Sequence, residues 1–234
     1  LVLVAAVLDA PVRALAQSLD PSVRAALGAF TRLGNAAWPL GIGLALLGGI
    51  TALRRSDLAP AAKDLEAFRA MLILMLTSVA VSGLLASLTK NIIGRMRPST
   101  NPAGMVWETS FMAFKAGWAS FPSGHATTAT AAAVVLALCF RRHAWAWLAI
   151  GGLAMVSRAL LGVHWLSDCL AGTALGAAVT VMIHRRMIAA GHRPDMAAQA
   201  SLGIAAATLA IMLRLAKHLS TKGVAAIQTI RNRL

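Results

Sequence analysis

Long apolar runs alternate along the chain with short polar or basic segments. Most of these runs approach the length that a helix needs to cross a hydrocarbon core of about 30 Å. The pattern predicts an all-α fold: a polytopic membrane helical bundle with six transmembrane helices, forming a single domain over residues 1–234. The predicted spans cover residues 1–9, 36–53, 70–89, 124–140, 144–163 and 166–183. We expect the first span to begin before Leu1.

Local signals at both ends of the chain predict further elements. Asp9-Ala10-Pro11 predicts the end of the first helix, and Asp20-Pro21 predicts the start of a short interfacial helix within residues 11–35. The apolar residues 198–213 form a shorter run, followed by basic residues. A seventh span would place those charges outside the cell, so residues 190–234 are interpreted as a cytoplasmic or interfacial tail.

Composition agrees with a membrane protein. The chain is 58% hydrophobic and 13% charged, whereas soluble domains carry about 25% charged residues. A net charge of +14 would also suit a nucleic-acid binder. However, the basic residues form short clusters between apolar runs, which favours a positive-inside topology with anionic lipid contacts and no nucleic-acid partner. Cys139 and Cys169 lie in apolar runs near opposite membrane faces, which predicts no disulfide between them.

Basic pairs predict the orientation of the bundle. Each pair follows an even-numbered span, so all of them share one side, which the positive-inside rule makes cytoplasmic. The connection at 91–122 and the stretch 157–168 then face the periplasm of a bacterial inner membrane. Lys90, Arg95 and Arg97 are basic residues on this periplasmic side, contrary to the positive-inside rule, so we expect them to have another role. The pairs are Arg54/Arg55, Arg141/Arg142 and Arg185/Arg186.

The first of three polar clusters is Lys90 with Arg97-Pro98. Residues seven apart are nearly two helical turns apart and can share a face if the helix continues. Pro98 predicts that it ends there. Anchoring to lipid headgroups is the alternative interpretation of this cluster.

The second cluster, Pro122-Ser123-Gly124-His125, opens a helix. Ser123 suits the cap, Gly124 lets a ligand approach the backbone, and free amides at a helix start favour an anion. An ordinary cap beside an incidental histidine is the alternative.

The third cluster contains Arg158, His164 and Asp168 between two uncharged runs. Ionisable groups at membrane depth are costly and usually mark function. A carboxylate four residues after His164 can fix its tautomer and free the other nitrogen for attack. Arg158 offers a planar fork for phosphate oxygens. A structural Arg158–Asp168 pair is the alternative.

Together the clusters favour a phosphate-like ligand. Three cations and a helix start suit an anion, and two histidines allow one nucleophile and one general acid. A triad built on Ser123 would leave the cations without a role. The cationic surroundings also oppose zinc, so we expect no metal.

These motifs resemble the three signature motifs of the type 2 phosphatidic acid phosphatase family, which shares a core with vanadium haloperoxidases. The resemblance covers a catalytic motif region at residues 90–168 and matches every signature position. It implies a membrane lipid phosphatase that needs no cofactor. Haloperoxidase activity is disfavoured, because those enzymes are typically soluble.

The resemblance also implies residue roles. His164 forms a phosphohistidine, Asp168 orients it, and His125 protonates the leaving oxygen and then activates water. The phosphate is held by Lys90, Arg97, Ser123, Gly124 and Arg158.

Aromatic residues in the 91–122 connection suggest an extracytoplasmic lid that borders lipid chains, although an anchoring aromatic belt fits equally. Arg95 and Lys115 are candidates for contact with a second anionic group. The candidate lipid contacts are Trp107, Phe111, Phe114 and Trp118.

The expected partners are the bilayer and a lipid phosphate. Family members suggest phosphatidylglycerophosphate, phosphatidate, undecaprenyl diphosphate or lipid A as the substrate. Two alternatives stay open: a lipid phosphotransferase using the same phosphohistidine, and a non-catalytic phospholipid binder or transporter. The sequence does not predict the oligomeric state.

Overall fold

A computed structural model of the chain describes residues 7–54, 62–101 and 103–194, together with Leu3. The predicted all-α class is confirmed, because the named elements in these ranges are helices. The predicted tail lies almost entirely outside the described residues. The helices are α1 (Asp9–Ser18), α2 (Pro21–Thr31), α3 (Ala37–Arg54), α4 (Ala62–Ile93), α5 (Gly124–Cys139), α6 (Ala144–Leu160) and α7 (Leu166–Ala189).

Three described stretches are long and apolar enough to cross a membrane: Pro21–Thr51, Glu66–Ile93 and Leu166–Ala189. Helices α5 and α6 are also apolar but shorter, with 16 and 17 residues. The predicted count of six spans therefore stays a prediction, while the membrane-spanning character of the bundle follows from these helices.

The N-terminal prediction was wrong in two respects. Asp9-Ala10-Pro11 forms the first turn of α1, and the Asp9 carboxylate is buried. Residues 11–35 contribute to two helices instead of one, because Asp20 starts α2 independently. Its carboxylate accepts a hydrogen bond from the Ser22 amide at 2.8 Å, as the predicted cap requires.

The topology brings the three motifs to one end of the bundle. Helix α5 is central and packs against α4, α6 and α7. Helices α4 and α6 end where α5 and α7 begin, and the Ser123 amide donates to the Asp168 carbonyl at 3.0 Å. The basic segments at 141–143 and 184–186 consequently lie toward the opposite end. This separation agrees with the predicted two-sided distribution of charge.

Two glycines let α7 approach α5 closely. Gly172 and Gly176 lie one turn apart, and a Cβ at either position would overlap the α5 backbone, at the Ser123 and Thr127 carbonyl oxygens respectively. Small residues at this spacing allow membrane helices to pack with their backbones near each other. The contact aligns the starts of α5 and α7, from which His125 and Asp168 project.

Adding a single methyl group at Gly176 therefore should separate the two helices. We expect Gly176→Ala to lower the thermal unfolding midpoint in detergent, because overpacking costs about 1–3 kcal/mol. Gly152→Ala is the matched control, since a Cβ there meets no atom within 4 Å. Equal midpoints for the two variants would contradict the close approach.

Candidate active site

Lys90 belongs to the end of α4, whereas Arg97 belongs to the connection that follows it. Lys90 lies in the last turn of α4, and Gly94 then turns the chain with a φ of +59°. A Cβ at Gly94 would also overlap the Ser110 carbonyl, so both the backbone angle and the space require glycine. The helix thus ends well before Pro98, and the shared helical face considered for Lys90 and Arg97 is not formed.

The start of α5 is capped as predicted and lies next to a cation. Ser123 Oγ accepts a hydrogen bond from the Ala126 amide at 3.4 Å. Lys90 Nζ is so near that a Cβ at Gly124 would be 3.0 Å from it. The ammonium group therefore adds to the positive potential that free amides create at a helix start.

Two arginines approach from other segments. Arg158, in the last turn of α6, donates through Nη1 to Thr31 Oγ1 at 3.0 Å. Arg97 donates through Nη2 to the Ala119 carbonyl at 3.3 Å. The Nε atoms of both arginines are buried and donate to no protein acceptor within the described part of the chain. Each guanidinium thus keeps a desolvated donor for a ligand oxygen.

His125 is the electrostatic centre of this group. It interacts with Arg158, His164, Lys90 and Arg97, so the predicted residues of all three motifs converge. Burial lowers the pKa of Arg97 from its usual value, while Asp168 opposes that shift. The arginine nevertheless stays protonated. The cluster is therefore strongly positive and suits an anionic ligand.

His164 occupies the turn between α6 and α7, and its imidazole is buried. Nδ1 lies 2.9 Å from the Ser120 carbonyl oxygen but 3.7 Å from Asp168 Oδ2. A carbonyl only accepts, so Nδ1 carries the proton and Nε2 has a free lone pair. Burial lowers the pKa of His164 to about 4, although Asp168 acts in the opposite direction.

His164 and Asp168 do not share a helical turn, because α7 begins only at Leu166, although their side chains are neighbours. Asp168 instead accepts hydrogen bonds from Arg95 Nη1, Ser120 Oγ and, at 3.0 Å, the Trp165 amide. Ser120, which sequence reasoning missed, links the two residues: its hydroxyl donates to Asp168, and its carbonyl accepts from His164 Nδ1. A serine just before the second motif carries no distinguishing local signal.

Arg95 also differs from its predicted role as a ligand contact. Its side chain is fully buried and forms ion pairs with Asp168 and, at 2.9 Å, with Asp9. In the sequence, Arg95 was notable as a cation on the side of the membrane that the positive-inside rule disfavours. Its neighbours in the sequence did not indicate which residues it pairs with. Arg158 takes no part in this network, so the alternative Arg158–Asp168 pair is not formed. Lys115 is exposed.

The connection at 91–122 folds against the site. Backbone hydrogen bonds join Met96 to Glu108, and Ser110 to Gly94, at 2.8 Å each. Trp107 is half exposed, and its ring packs on the Arg95 guanidinium at 4.0 Å. The remaining candidate lipid contacts divide by exposure: Phe111 is 73% exposed and Phe114 66%, whereas Trp118 is partly buried.

Among the described residues, the structure contains no group of three or more His, Cys, Asp or Glu side chains placed to hold a metal ion. The predicted catalytic residues His125, His164 and Asp168 all lie in the described part of the chain. Cys139 and Cys169 are both buried free thiols.

Curated relatives resemble part of the chain. Lipid A 1-phosphatase of Rhizobium etli is 42% identical over 103 residues, or 44% of each protein. Lipid A 4'-phosphatase of Porphyromonas gingivalis is 26% identical over 113 residues, which cover 47% of this chain and 48% of that protein. The chain thus spans less than half the length of these relatives.

Solved structures extend the similarity to the fold. A PAP2 type phosphatidylglycerolphosphate phosphatase from Bacillus subtilis superposes with a TM-score of 0.52 and 25% identity, covering 75% of this chain and 82% of that one. LpxE of Aquifex aeolicus gives a TM-score of 0.50 at 19% identity, over 73% and 90% of the two chains, and shows the fold alone.

Residues 71–192, more than half of the chain, match the PAP2 superfamily. This range contains all three motifs and every residue assigned to the cluster around His125. The chain belongs to the PAP2 superfamily.

Proposed function

We propose that the protein is a membrane phosphatase that hydrolyses the phosphomonoester of a lipid through a phosphohistidine on His164. The observation that carries this proposal is the hydrogen bond from His164 Nδ1 to the Ser120 carbonyl. It leaves a neutral imidazole with an unprotonated Nε2 beside several cations. A phosphate that these cations hold would present its phosphorus to a ready nucleophile.

In the first step, His164 Nε2 attacks phosphorus, and the bond from phosphorus to the lipid oxygen breaks. The negative charge on the equatorial oxygens is stabilised by Lys90, Arg97 and Arg158. His125 donates a proton to the leaving oxygen, which departs as a lipid alcohol. Asp168 supports the positive charge that develops on His164.

In the second step, His125 takes a proton from water while the water oxygen attacks phosphorus. The bond between phosphorus and Nε2 breaks, which releases inorganic phosphate and restores neutral His164. Lys90, Arg97 and Arg158 are cationic, so the reaction needs no metal to neutralise the phosphoryl oxygens. We therefore propose a metal-independent reaction.

Lipid A is the substrate that we propose first. The 42% identity to lipid A 1-phosphatase over 103 residues supports it, as does the second relative that acts at the 4'-position. The exposed rings of Phe111 and Phe114 border the site end of the bundle and suit acyl chains. Phosphatidylglycerophosphate is the second candidate, because the Bacillus structure is named for that substrate.

We also propose that the protein lies in a bacterial inner membrane with the site facing the periplasm. The basic residues at 141–143 and 185–186 lie toward the end of the bundle opposite the site, and the positive-inside rule places such residues in the cytoplasm. This orientation would bring the site to the leaflet where periplasmic lipid processing occurs.

Replacing the nucleophile should abolish turnover. We expect His164→Ala to fold with a lowered thermal midpoint, because a buried hydrogen bond to Ser120 is lost. It should lose phosphate release and acid-labile ³²P incorporation, because the proposed attacking nitrogen is gone. His143→Ala, in the exposed turn between α5 and α6, is the matched control and should keep full activity. Phosphate release by a folded His164→Ala protein would refute the phosphohistidine.

The lowered pKa of His164 predicts a specific pH dependence. Above about pH 4 the imidazole is neutral, so protonation removes the nucleophile only below that value. With an aryl phosphate, whose leaving group needs little acid assistance, phosphoenzyme formation measured by rapid quench should stay level from pH 5 to 8. A decline centred near 6.5, the ordinary value for histidine, would contradict a buried neutral His164.

A panel of substrates separates the candidate activities. Purified protein in detergent should release phosphate faster from lipid A than from phosphatidylglycerophosphate, undecaprenyl diphosphate or a soluble phosphomonoester, with or without chelator. Phosphate transfer to an added lipid acceptor without release would instead indicate a phosphotransferase. Binding without either reaction would favour the non-catalytic alternative, and loss of activity with chelator would contradict metal independence.

A further inference from the structure

A buried ion network joins the first described helix to the catalytic carboxylate. Arg95 lies between Asp9 and Asp168, and all three side chains have no exposed surface. Arg95 also donates to the Val106 carbonyl at 2.6 Å and to Ser167 Oγ at 2.7 Å. Since a buried arginine needs partners for its donors, this guanidinium has one fixed orientation.

Asp9 also accepts hydrogen bonds from Ser167, at the start of α7. Its Oδ1 accepts from the Ser167 amide at 2.9 Å, and Oδ2 accepts from Ser167 Oγ at 2.6 Å. Ser167 directly precedes Asp168 in the first turn of α7. Asp9 therefore holds the start of α7 in two ways: through the backbone of Ser167 and through Arg95.

We propose that Asp9 is a positioning residue for the reaction at His164, acting through Arg95, Ser167 and Asp168. This inference rests on the proposed function. Asp9 precedes residues 71–192, so the match to the superfamily does not assign it a role.

Asp9 and Asp168 share the positive charge of Arg95. With Arg95 between two carboxylates, the network stays negative as a whole, and Asp168 can stabilise the charge that develops on His164. Without the charge of Asp9, Arg95 neutralises Asp168 alone. The transition state would then lose stabilisation, whereas the cations that hold the phosphate would be unchanged.

The test is Asp9→Asn in the complete chain, with the lipid phosphate that proves active. We expect kcat to fall about tenfold with KM unchanged, since only the transition state loses an interaction. The inhibition constant of inorganic phosphate should also stay unchanged, because Lys90, Arg97 and Arg158 remain in place. Asp9→Glu keeps the charge and should recover part of kcat.

Asp20→Asn is the matched control. Asp20 also lies at a helix start, but it is exposed, and among the described residues its carboxylate accepts only from Ser22 of the same turn. It should keep the kcat of the parent. If Asp9→Asn does not fold, Asp9→Glu alone serves, with the expectation of a lowered kcat and unchanged phosphate inhibition.

Three results would overturn the inference: an unchanged kcat in Asp9→Asn, a parallel loss of phosphate binding and kcat, or equal kcat values for Asp9→Asn and Asp9→Glu. The second result would indicate a purely structural role. An inactive parent protein would instead refute the proposed function, so the two failures are distinguishable.

Discussion

One buried carboxylate organises the active end of this bundle. Asp168 accepts hydrogen bonds from Arg95 and Ser120, near the two ends of the 91–122 connection, and from the Trp165 amide just before α7. Ser120 also accepts from His164 through its carbonyl oxygen. The two ends of the long connection and the nucleophile are thereby fixed relative to each other. Because an unsatisfied buried polar group costs about 1–3 kcal/mol, each of these contacts depends on the others.

The pairing of this carboxylate with Arg95 also accounts for a cluster of like charges beside it. Arg95 forms the ion pairs with Asp168, which leaves Lys90, Arg97 and Arg158 without a carboxylate partner among the described residues. Their mutual repulsion is offset by packing elsewhere, including the close contact of α5 and α7. The fold thus holds positive charge where the proposed reaction would place negative charge on the phosphoryl oxygens. Preorganised charge of this kind needs no rearrangement during the reaction.

Sequence patterns predicted the helices that position the site because apolar runs and caps are local signals. The predicted starts of α5, α6 and α7 coincide with the observed ones. Long-range partners had no such signal. Asp9 resembles a helix end when only its neighbours are considered, yet it pairs with Arg95, 86 residues later. The tautomer of His164 likewise depends on a backbone carbonyl, which every residue possesses.

The motifs are necessary for the proposed chemistry, but N-terminal residues complete their surroundings. Thr31 of α2 holds Arg158 on the phosphate side, and Asp9 of α1 holds Arg95 on the carboxylate side. Gly34 packs directly against His125, since a Cβ there would lie 2.7 Å from its carbonyl oxygen. None of these three residues falls within the range that matches the superfamily. Proteins with identical motifs can therefore differ in rate through residues that the motifs do not include.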